Sequence, residues 1–188
     1  MSYFPMMIDL EKKHVLVVGG GREGTQKINV LKKFGCIITL VSVEAADEAV
    51  ENSDVFIKKA FEESDIDDSY SLIVSATGDK ETDEIISRIA KEKKIPVNIV
   101  DNTELCTFIF PAIIKDRDVV IGISSGGKSP YLVQYLKKLI SSVLPENIGY
   151  INDRMGEYRS FAKEKIKDVN ERRKFLREKL KSYINISE

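Results

Sequence analysis

One carboxylate in this sequence is placed for proton chemistry. Asp101 directly follows a predicted buried strand at residues 96–100. A carboxylate at the end of a strand can take or relay a proton in a reaction at that edge of a sheet. Aspartate also commonly caps a turn, and this interpretation fits the same position. The sequence alone leaves both roles of Asp101 open.

A second stretch, residues 124–130, has the composition of an anion-binding cradle. It reads Ser-Ser-Gly-Gly-Lys-Ser-Pro and precedes a helical pattern, so glycines, a lysine and free helix N–H groups come together. Ser129 as N-cap and Pro130 as first helical residue predict a helix start, which makes capping the first role of Ser129. We do not expect Ser129 to be a nucleophile, because the chain has no second histidine to act as its base. The candidate ligand-binding residues are Ser124, Gly126, Gly127, Lys128 and Ser129.

A glycine turn near the N-terminus predicts a dinucleotide site. Gly19, Gly21 and Gly24 fit the pattern G-x-G-x-x-G between an apolar strand at residues 15–18 and a helical pattern at 25–34. In such a turn the first glycine allows a tight bend, the second lets backbone approach a pyrophosphate, and the third lets helix pack on strand. The helix N–H groups then face the phosphates. Two charged residues of the turn, Arg22 and Glu23, join the candidate cofactor-binding residues.

Three residues farther along the chain complete the predicted dinucleotide site. Glu44 follows the predicted second strand (37–41), about twenty residues after the glycine turn, where an acid accepts hydrogen bonds from the ribose hydroxyls. In that role it disfavours a 2′-phosphate and selects NAD over NADP. Glu44 equally fits the start of an acidic helix at 44–51. Ala76 and Thr77 end another predicted strand, and their small size would let a dinucleotide lie close to the backbone.

The order of predicted elements gives an α/β protein with a Rossmann-like parallel sheet. Strands and helices alternate as in a doubly wound sheet until about residue 101, which we assign to an NAD-binding domain at 1–112. Two strand patterns at 108–115 and 118–124 then share a two-residue link, which suits an antiparallel hairpin. We assign this hairpin and the next helix to a dimerisation module at 113–145, and the charged helical remainder to a C-terminal domain at 146–188.

The overall charge and the cysteines exclude several classes of protein. A net charge of −1 argues against a protein that holds nucleic acid through bulk positive charge. Cys36 and Cys106 form neither a C-x-x-C motif nor a disulfide framework, and with one histidine they predict no metal site. We interpret both cysteines as small hydrophobic residues.

Membrane and secretory signals are not predicted either. No apolar run approaches the roughly 20 residues that span a bilayer, and Asp9 interrupts the N-terminal stretch where a signal peptide would be apolar. We therefore expect a cytoplasmic protein. The basic residues of the last predicted helix form either a solvated face or a positive wall for an acidic ligand; they are Arg172, Arg173, Lys174, Arg177, Lys179 and Lys181.

Taken together and in order, the motifs resemble the precorrin-2 dehydrogenase family, the dehydrogenase/chelatase module of siroheme synthase. The most specific are the Asn-x-x-Asp element that ends at Asp101 and the Ser-Gly-Gly-x-Ser-Pro element that ends at Pro130. The others are Pro5-Met-Met-Ile-Asp-Leu10, the glycine turn with Lys27, Ser75-Ala-Thr77, Cys106-Thr-Phe108, Phe110-Pro-Ala112 and Glu171-Arg-Arg-Lys-Phe175.

The resemblance implies NAD-dependent oxidation of precorrin-2 to sirohydrochlorin and, in some members, insertion of ferrous iron. It also implies a homodimer formed through the middle module, with the active site between protomers. Asp101 matches the family's essential aspartate, and Ser129 matches a serine of its tetrapyrrole region. The chain departs from the family at Glu23-Gly24, where Val-Ala is usual, and the charges of Arg22 and Glu23 then lie beside the phosphates.

A protein of a different class also fits the first half of the chain. A non-catalytic Rossmann sensor would bind NAD and report through its helical tail. That hypothesis leaves Asp101 and the segment at 124–130 unexplained. Tetrapyrrole binding separates the two hypotheses, because a sensor of nucleotide alone should show none.

Overall fold

The apolar run at residues 15–18 becomes the central strand of a parallel sheet in the computed structural model, which describes residues 3–184. The five strands are β1 (His14–Gly20), β2 (Ile37–Ala45), β3 (Val55–Ile57), β4 (Tyr70–Ser75) and β5 (Val97–Ile99), in the order β3-β2-β1-β4-β5. Three helices connect them, α1 (Arg22–Lys32), α2 (Asp47–Glu51) and α3 (Lys80–Glu92), with a 3-10 turn at Glu63–Asp65.

Both faces of this sheet are covered, which explains why β1 lacks a polar break. Val15 and Val17 pack on the side of α1 and α2, while Leu16 and Val18 pack on the side of α3. Successive side chains of a strand point to opposite faces, so a strand buried on both sides must be apolar throughout. All pairings between these strands are parallel. The predicted Rossmann-like architecture is confirmed.

The end of β2 differs from the prediction. The strand continues to Ala45 instead of stopping at residue 41, so Glu44 lies inside it. The cause is pairing with the glycine turn: Ala45 lies opposite Gly20, and the Ala46 N–H donates to the Gly20 carbonyl at 2.9 Å. The helix predicted at 44–51 therefore begins only at Asp47, and its predicted start is wrong.

The segment at 108–111 is not part of the hairpin, contrary to the prediction. The backbone N–H groups of Thr107 and Phe108 donate to the Val97 carbonyl at 2.8 and 3.4 Å, which ties them to the edge of β5. The side chains of Phe108 and Phe110 pack against the core on the α1 side of the sheet. Contacts within the chain divide it here into two compact units, one that ends at Phe110 and one that begins at Pro111.

The second unit begins with the predicted antiparallel hairpin. Its strands are β6 (Ala112–Asp116) and β7 (Val119–Ile123), followed by α4 (Pro130–Val143), α5 (Ile148–Lys165) and α6 (Val169–Lys181). The Asp168 carboxylate accepts the N–H groups of Asn170 and Glu171 at 2.8 and 2.9 Å and so caps the start of the last helix. The Gly149 N–H of α5 donates to Asp116 at 2.6 Å, so hairpin and helical tail belong to one unit. Their division into two domains at 113–145 and 146–188 stays a prediction.

None of the helices within residues 3–184 has the length and apolar character that a membrane crossing requires.

Candidate active site

An open cleft of about 560 Å³ lies at the carboxyl ends of β1, β4 and β5. After β1 the chain continues to β2 on one side of β1, and after β4 it continues to β5 on the other side of β1. Loops that part in this way form the crevice in which α/β sheets bind ligands. The lining residues are Gly21, Arg22, Glu23, Ala76, Thr77, Gly78, Lys80, Asp83, Val100, Asp101 and Asn102.

The three glycines of the turn have different surroundings. A Cβ added to Gly24 would lie 1.9 Å from the Gly19 carbonyl oxygen, and one added to Gly19 would lie 2.3 Å from the Ala76 oxygen. Gly19 also adopts a φ of +97°, which side chains disfavour. A Cβ on Gly21 would meet nothing within 4 Å. Gly19 and Gly24 therefore serve packing, whereas Gly21 leaves open space for a ligand.

The start of α1 is available to an anion. Gly21 is the N-cap residue, and no side chain of the described residues caps this helix end. The first N–H groups of a helix have no partner within the helix and carry its positive dipole end. Arg22 and Glu23 occupy the first turn and line the cleft. This end of the cleft thus offers backbone N–H groups and the Arg22 guanidinium to phosphate oxygens. The Glu23 carboxylate beside them would repel a phosphate.

A buried carboxylate fixes the loop after β4, and the sequence-based prediction missed it. Asp83 of α3 is 9% exposed and accepts hydrogen bonds from the hydroxyls of Ser75 at 2.6 Å and Thr77 at 2.8 Å. The Thr77 hydroxyl in turn accepts the Asp79 N–H at 3.1 Å. These bonds hold Ala76 where its carbonyl meets Gly19. The only signal in the sequence is an acid in the first turn of a helix, which the helix dipole already explains.

Asp101 stands in a strained turn at the mouth of the cleft. Its φ is +59°, in the left-handed region that costs a residue with a Cβ about 1 kcal/mol or more. The turn is closed by the Asn102 N–H, which donates to the Ile99 carbonyl at 3.3 Å. Asp101 lines the same cleft as the glycine turn, so the structure brings together the predicted proton acceptor and the predicted dinucleotide site.

Lys27 of α1 is a half-buried cation that the sequence-based site prediction did not include. Its ammonium lies 4.7 Å from the centre of the Phe110 ring, within range of a cation–π contact. Burial lowers the pKa of Lys27 below its ordinary value of 10.5, while the negative charges of Glu23 and Asp101 act in the opposite direction. The Lys27 ammonium therefore interacts electrostatically with one carboxylate from each of the two turns of the cleft.

Glu44 lies outside the residues that line this cleft. Within β2, the Ser42 hydroxyl accepts the Gly20 N–H at 3.0 Å and donates to the Glu44 carbonyl at 2.5 Å. The backbone around Glu44 thus supports the glycine turn. Its predicted contact with a ribose stays a prediction.

The predicted anion cradle is a well-defined loop in the second unit. Gly126 and Gly127 adopt positive φ values of 65° and 81°, and Ser129 caps α4 by accepting the Leu132 N–H at 3.2 Å. The prediction omitted Ser125, whose hydroxyl accepts the Ser129 N–H at 3.0 Å and closes the loop. A serine four residues before an N-cap serine gives no separate sequence signal.

The other predicted members of this loop are Ser124 and Lys128. The Ser124 hydroxyl accepts the Gly126 N–H at 3.0 Å, and the Lys128 side chain is exposed. Within residues 3–184, no group of three His, Cys, Asp or Glu side chains is arranged to hold a metal ion.

Comparison with known proteins places this architecture among nucleotide-binding proteins. The model of a family described as "Putative NAD(P)-binding" matches residues 6–112. The solved structure of "SirC, precorrin-2 dehydrogenase" aligns with 94% of this chain and 88% of its own chain, with a TM-score of 0.70 and 25% sequence identity.

Two curated relatives match nearly the whole chain. Siroheme synthase of Ruthia magnifica subsp. Calyptogena magnifica is 37% identical over 179 residues, which is 93% of this chain. Siroheme synthase of Blochmanniella floridana is 38% identical over 184 residues, or 96% of this chain. The chain spans only 38% and 40% of the length of these relatives. The resemblance predicted from the motifs is confirmed.

Proposed function

This chain belongs to the family described as "Putative NAD(P)-binding", and from that premise we propose that it is an NAD-dependent dehydrogenase that oxidises precorrin-2 to sirohydrochlorin. The observation that carries the proposal is the cleft in which Asp101 and the glycine turn lie together. Likeness to a precorrin-2 dehydrogenase over 94% of the chain supports the choice of substrate.

The residues of the cleft fit a dinucleotide. Open space at Gly21 and the uncapped start of α1 suit a pyrophosphate, since neither a Cβ nor a capping side chain competes for the N–H groups. The volume of about 560 Å³ lies within the range of small-molecule sites. We assign the phosphates to Gly21, Arg22 and Glu23, and the neighbouring part of the dinucleotide to Ala76 and Thr77.

Asp101 is the proton acceptor in this proposal. NAD bound in the cleft supplies the hydride acceptor, so precorrin-2 loses one hydride and one proton as it becomes sirohydrochlorin. An Asp101 carboxylate oxygen takes the proton. The turn that displays Asp101 suits this role because it exposes the carboxylate while the backbone on either side is hydrogen-bonded.

The loop at 124–129 is the proposed site for substrate carboxylates. Precorrin-2 carries many carboxylates, and the exposed Lys128 offers them a cation on a loop that two glycines with positive φ allow to turn tightly. Ser124 and Ser129 place hydroxyls in the same loop. The basic residues of α6 stay a predicted positive wall for such a ligand.

We also propose a cytoplasmic homodimer formed through α4. Four side chains spaced four residues apart give this helix an exposed apolar stripe: Tyr131, Tyr135, Leu139 and Val143 are 90, 63, 48 and 73% exposed. A stripe of that kind is typical of an interaction face. Light scattering should give the mass of a dimer for the wild type and that of a monomer for Tyr135→Asp. A monomeric wild type at micromolar concentration would contradict the dimer.

Ferrous iron is a proposed second substrate, as in some members of the family that the motifs resemble. Asp101 is the residue that can accept the protons released when the macrocycle nitrogens bind a metal. Iron insertion into sirohydrochlorin should exceed the uncatalysed rate and be lost in Asp101→Ala. Equal rates with and without the protein would remove the chelatase activity from the proposal and leave the dehydrogenase in place.

The decisive experiment is anaerobic incubation of the protein with precorrin-2 and NAD. We expect NADH and sirohydrochlorin to appear in equal amounts, and a smaller rate with NADP. Absence of both products would overturn the dehydrogenase. Binding of NAD without any binding of tetrapyrrole would instead favour the sensor hypothesis.

A further inference from the structure

The two buried cysteines differ in what surrounds the sulfur. The Cys36 thiol donates to one backbone oxygen, that of Leu31 at 3.2 Å. The Cys106 sulfur has four polar neighbours, although its side chain was predicted to act as a small hydrophobic residue. It accepts the Ile99 N–H at 3.1 Å and lies 3.2 Å from the Asn102 oxygen, 3.3 Å from the Ile99 oxygen and 3.5 Å from the Asn98 side-chain nitrogen.

Three of those four contacts are to the two ends of the turn that displays Asp101. Ile99 is the last residue of β5 and Asn102 follows Asp101, so the sulfur spans the turn from one end to the other. The bond that closes the turn directly, from the Asn102 N–H to the Ile99 oxygen, is long at 3.3 Å. A residue with a Cβ at positive φ persists only where its surroundings fix it. The contacts of Cys106 with Ile99 and Asn102 help to hold Asp101 in this conformation.

The sulfur also satisfies a donor at the edge of the sheet. β5 is the last strand of the sheet, and its outward N–H groups at Val97 and Ile99 are met by the Thr107 hydroxyl at 2.8 Å and the Cys106 sulfur at 3.1 Å. Two neighbouring side chains thus make the same kind of contact. Only the contact of Cys106 lies next to the Asp101 turn.

We propose that Cys106 is a positioning residue of the dehydrogenase site, which ties Ile99 to Asn102 and so fixes the place of the Asp101 carboxylate. This inference rests on the proposed function. Burial raises the pKa of the Cys106 thiol, so the group keeps its proton at neutral pH and can donate to a carbonyl while it accepts the Ile99 N–H.

Thr107 offers a matched control. Thr107→Val removes the acceptor of the Val97 N–H, just as Cys106→Ala removes that of the Ile99 N–H, but two residues farther from Asp101 along the strand. Both changes should lower the unfolding midpoint. We expect Cys106→Ala alone to lower kcat, by about 10- to 100-fold, since small misplacement of a reacting group has effects of that size.

The test compares the wild type with Cys106→Ala, Cys106→Ser and Thr107→Val as full chains, with precorrin-2 and saturating NAD. Cys106→Ser should recover part of kcat because its hydroxyl both donates and accepts. The KM for NAD should change less than kcat in the two Cys106 variants. Wild-type kcat in Cys106→Ala, or an equal loss of kcat in Thr107→Val, would overturn the positioning role.

A second measurement does not depend on turnover. Exchange of the Ile99 and Asn102 amide hydrogens should become faster in Cys106→Ala and stay near the wild-type rate at Asn102 in Thr107→Val. Unchanged exchange in Cys106→Ala would refute the inference even if the wild type is active. An inactive wild type would instead refute the proposed function, while the exchange rates still report on the turn. If Cys106→Ala does not fold, Cys106→Ser is measured in its place, with a smaller increase expected.

Discussion

The glycine turn and the Asp101 turn line the same cleft but are built in opposite ways. At the first, Gly19 adopts a φ of +97° without steric cost, and the space of its absent side chain is filled by the Ala76 carbonyl. At the second, Asp101 adopts a φ of +59° despite its Cβ. A turn that presents backbone to a ligand can use glycine, whereas a turn that presents a carboxylate cannot. The second turn must therefore be stabilised by its neighbours.

The largest effect is expected where backbone fills the space of a side chain. Gly24→Ala would bring a Cβ to 1.9 Å from the Gly19 carbonyl, and neither backbone segment can yield without moving α1 from β1. We expect a loss of about 3 kcal/mol or more in the free energy of unfolding, together with loss of NAD binding. Urea unfolding and NAD titration measure both. Gly21→Ala is the control, since its Cβ meets nothing within 4 Å; it should fold normally and bind NAD more weakly.

Asp101→Asn tests the other turn by removing charge and keeping shape. Asparagine tolerates positive φ, so the variant should fold like the wild type. Without a proton acceptor, kcat should fall by about 10²- to 10⁴-fold. Steady-state kinetics with precorrin-2 and NAD provide the measurement. If kcat stays within a factor of two, Asp101 is a turn residue and not the acceptor.

Asp101→Gly separates strain from chemistry at the same position. Glycine adopts positive φ freely, and relief of the strain should raise the free energy of unfolding by about 1 kcal/mol. Activity should fall as far as in Asp101→Asn. A destabilised Asp101→Gly would show that the aspartate is stabilised in its turn beyond the cost of its backbone conformation.

Asp83→Asn tests the support beneath the glycine turn. Ser75 and Thr77 donate to the same oxygen of Asp83, and an amide oxygen can accept both hydroxyls. The substitution therefore keeps the geometry but replaces hydrogen bonds to a carboxylate by weaker ones to a neutral amide. We expect a loss of about 1–3 kcal/mol in the free energy of unfolding and a higher KM for NAD, with kcat less affected. Glu84→Gln on the exposed face of α3 is the control, and it should change neither quantity. An unchanged KM for NAD would show that Asp83 contributes to stability but not to the binding of NAD.

The smallest expected effect is the change in stability on substitution of Lys27, whose charge interacts with Glu23 and Asp101 of the two turns. Because burial lowers the pKa of Lys27 below 10.5, the unfolded chain holds this proton more tightly, and stability rises with pH between the lowered pKa and 10.5. Lys27→Met should therefore be slightly more stable than the wild type at neutral pH, and the difference should vanish above pH 10.5. Urea unfolding across this pH range gives the comparison, and a difference that grows with pH would contradict the assigned cause.

Much of the fold follows from local pattern. The apolar run at 15–18, the two-residue link of the hairpin and the cap at Ser129 each depend on a few neighbouring residues, so the sequence reveals them directly. The end of β2 was predicted wrongly because its length depends on pairing with Gly20, twenty-five residues before Ala45.

The features of the cleft also fall into those that follow from local sequence and those that depend on distant contacts. The sequence by itself determined that a glycine turn follows a buried strand, that Asp101 ends another, and that their carboxyl ends meet at one edge of a parallel sheet. Only the tertiary structure decided what holds those turns in place: Asp83 beneath Thr77, and Cys106 across the Asp101 turn. The physical reason is that a supporting hydrogen bond depends on distance in space. Residues that come together across a helix or along a sheet edge have no fixed spacing in sequence by which they could be recognised.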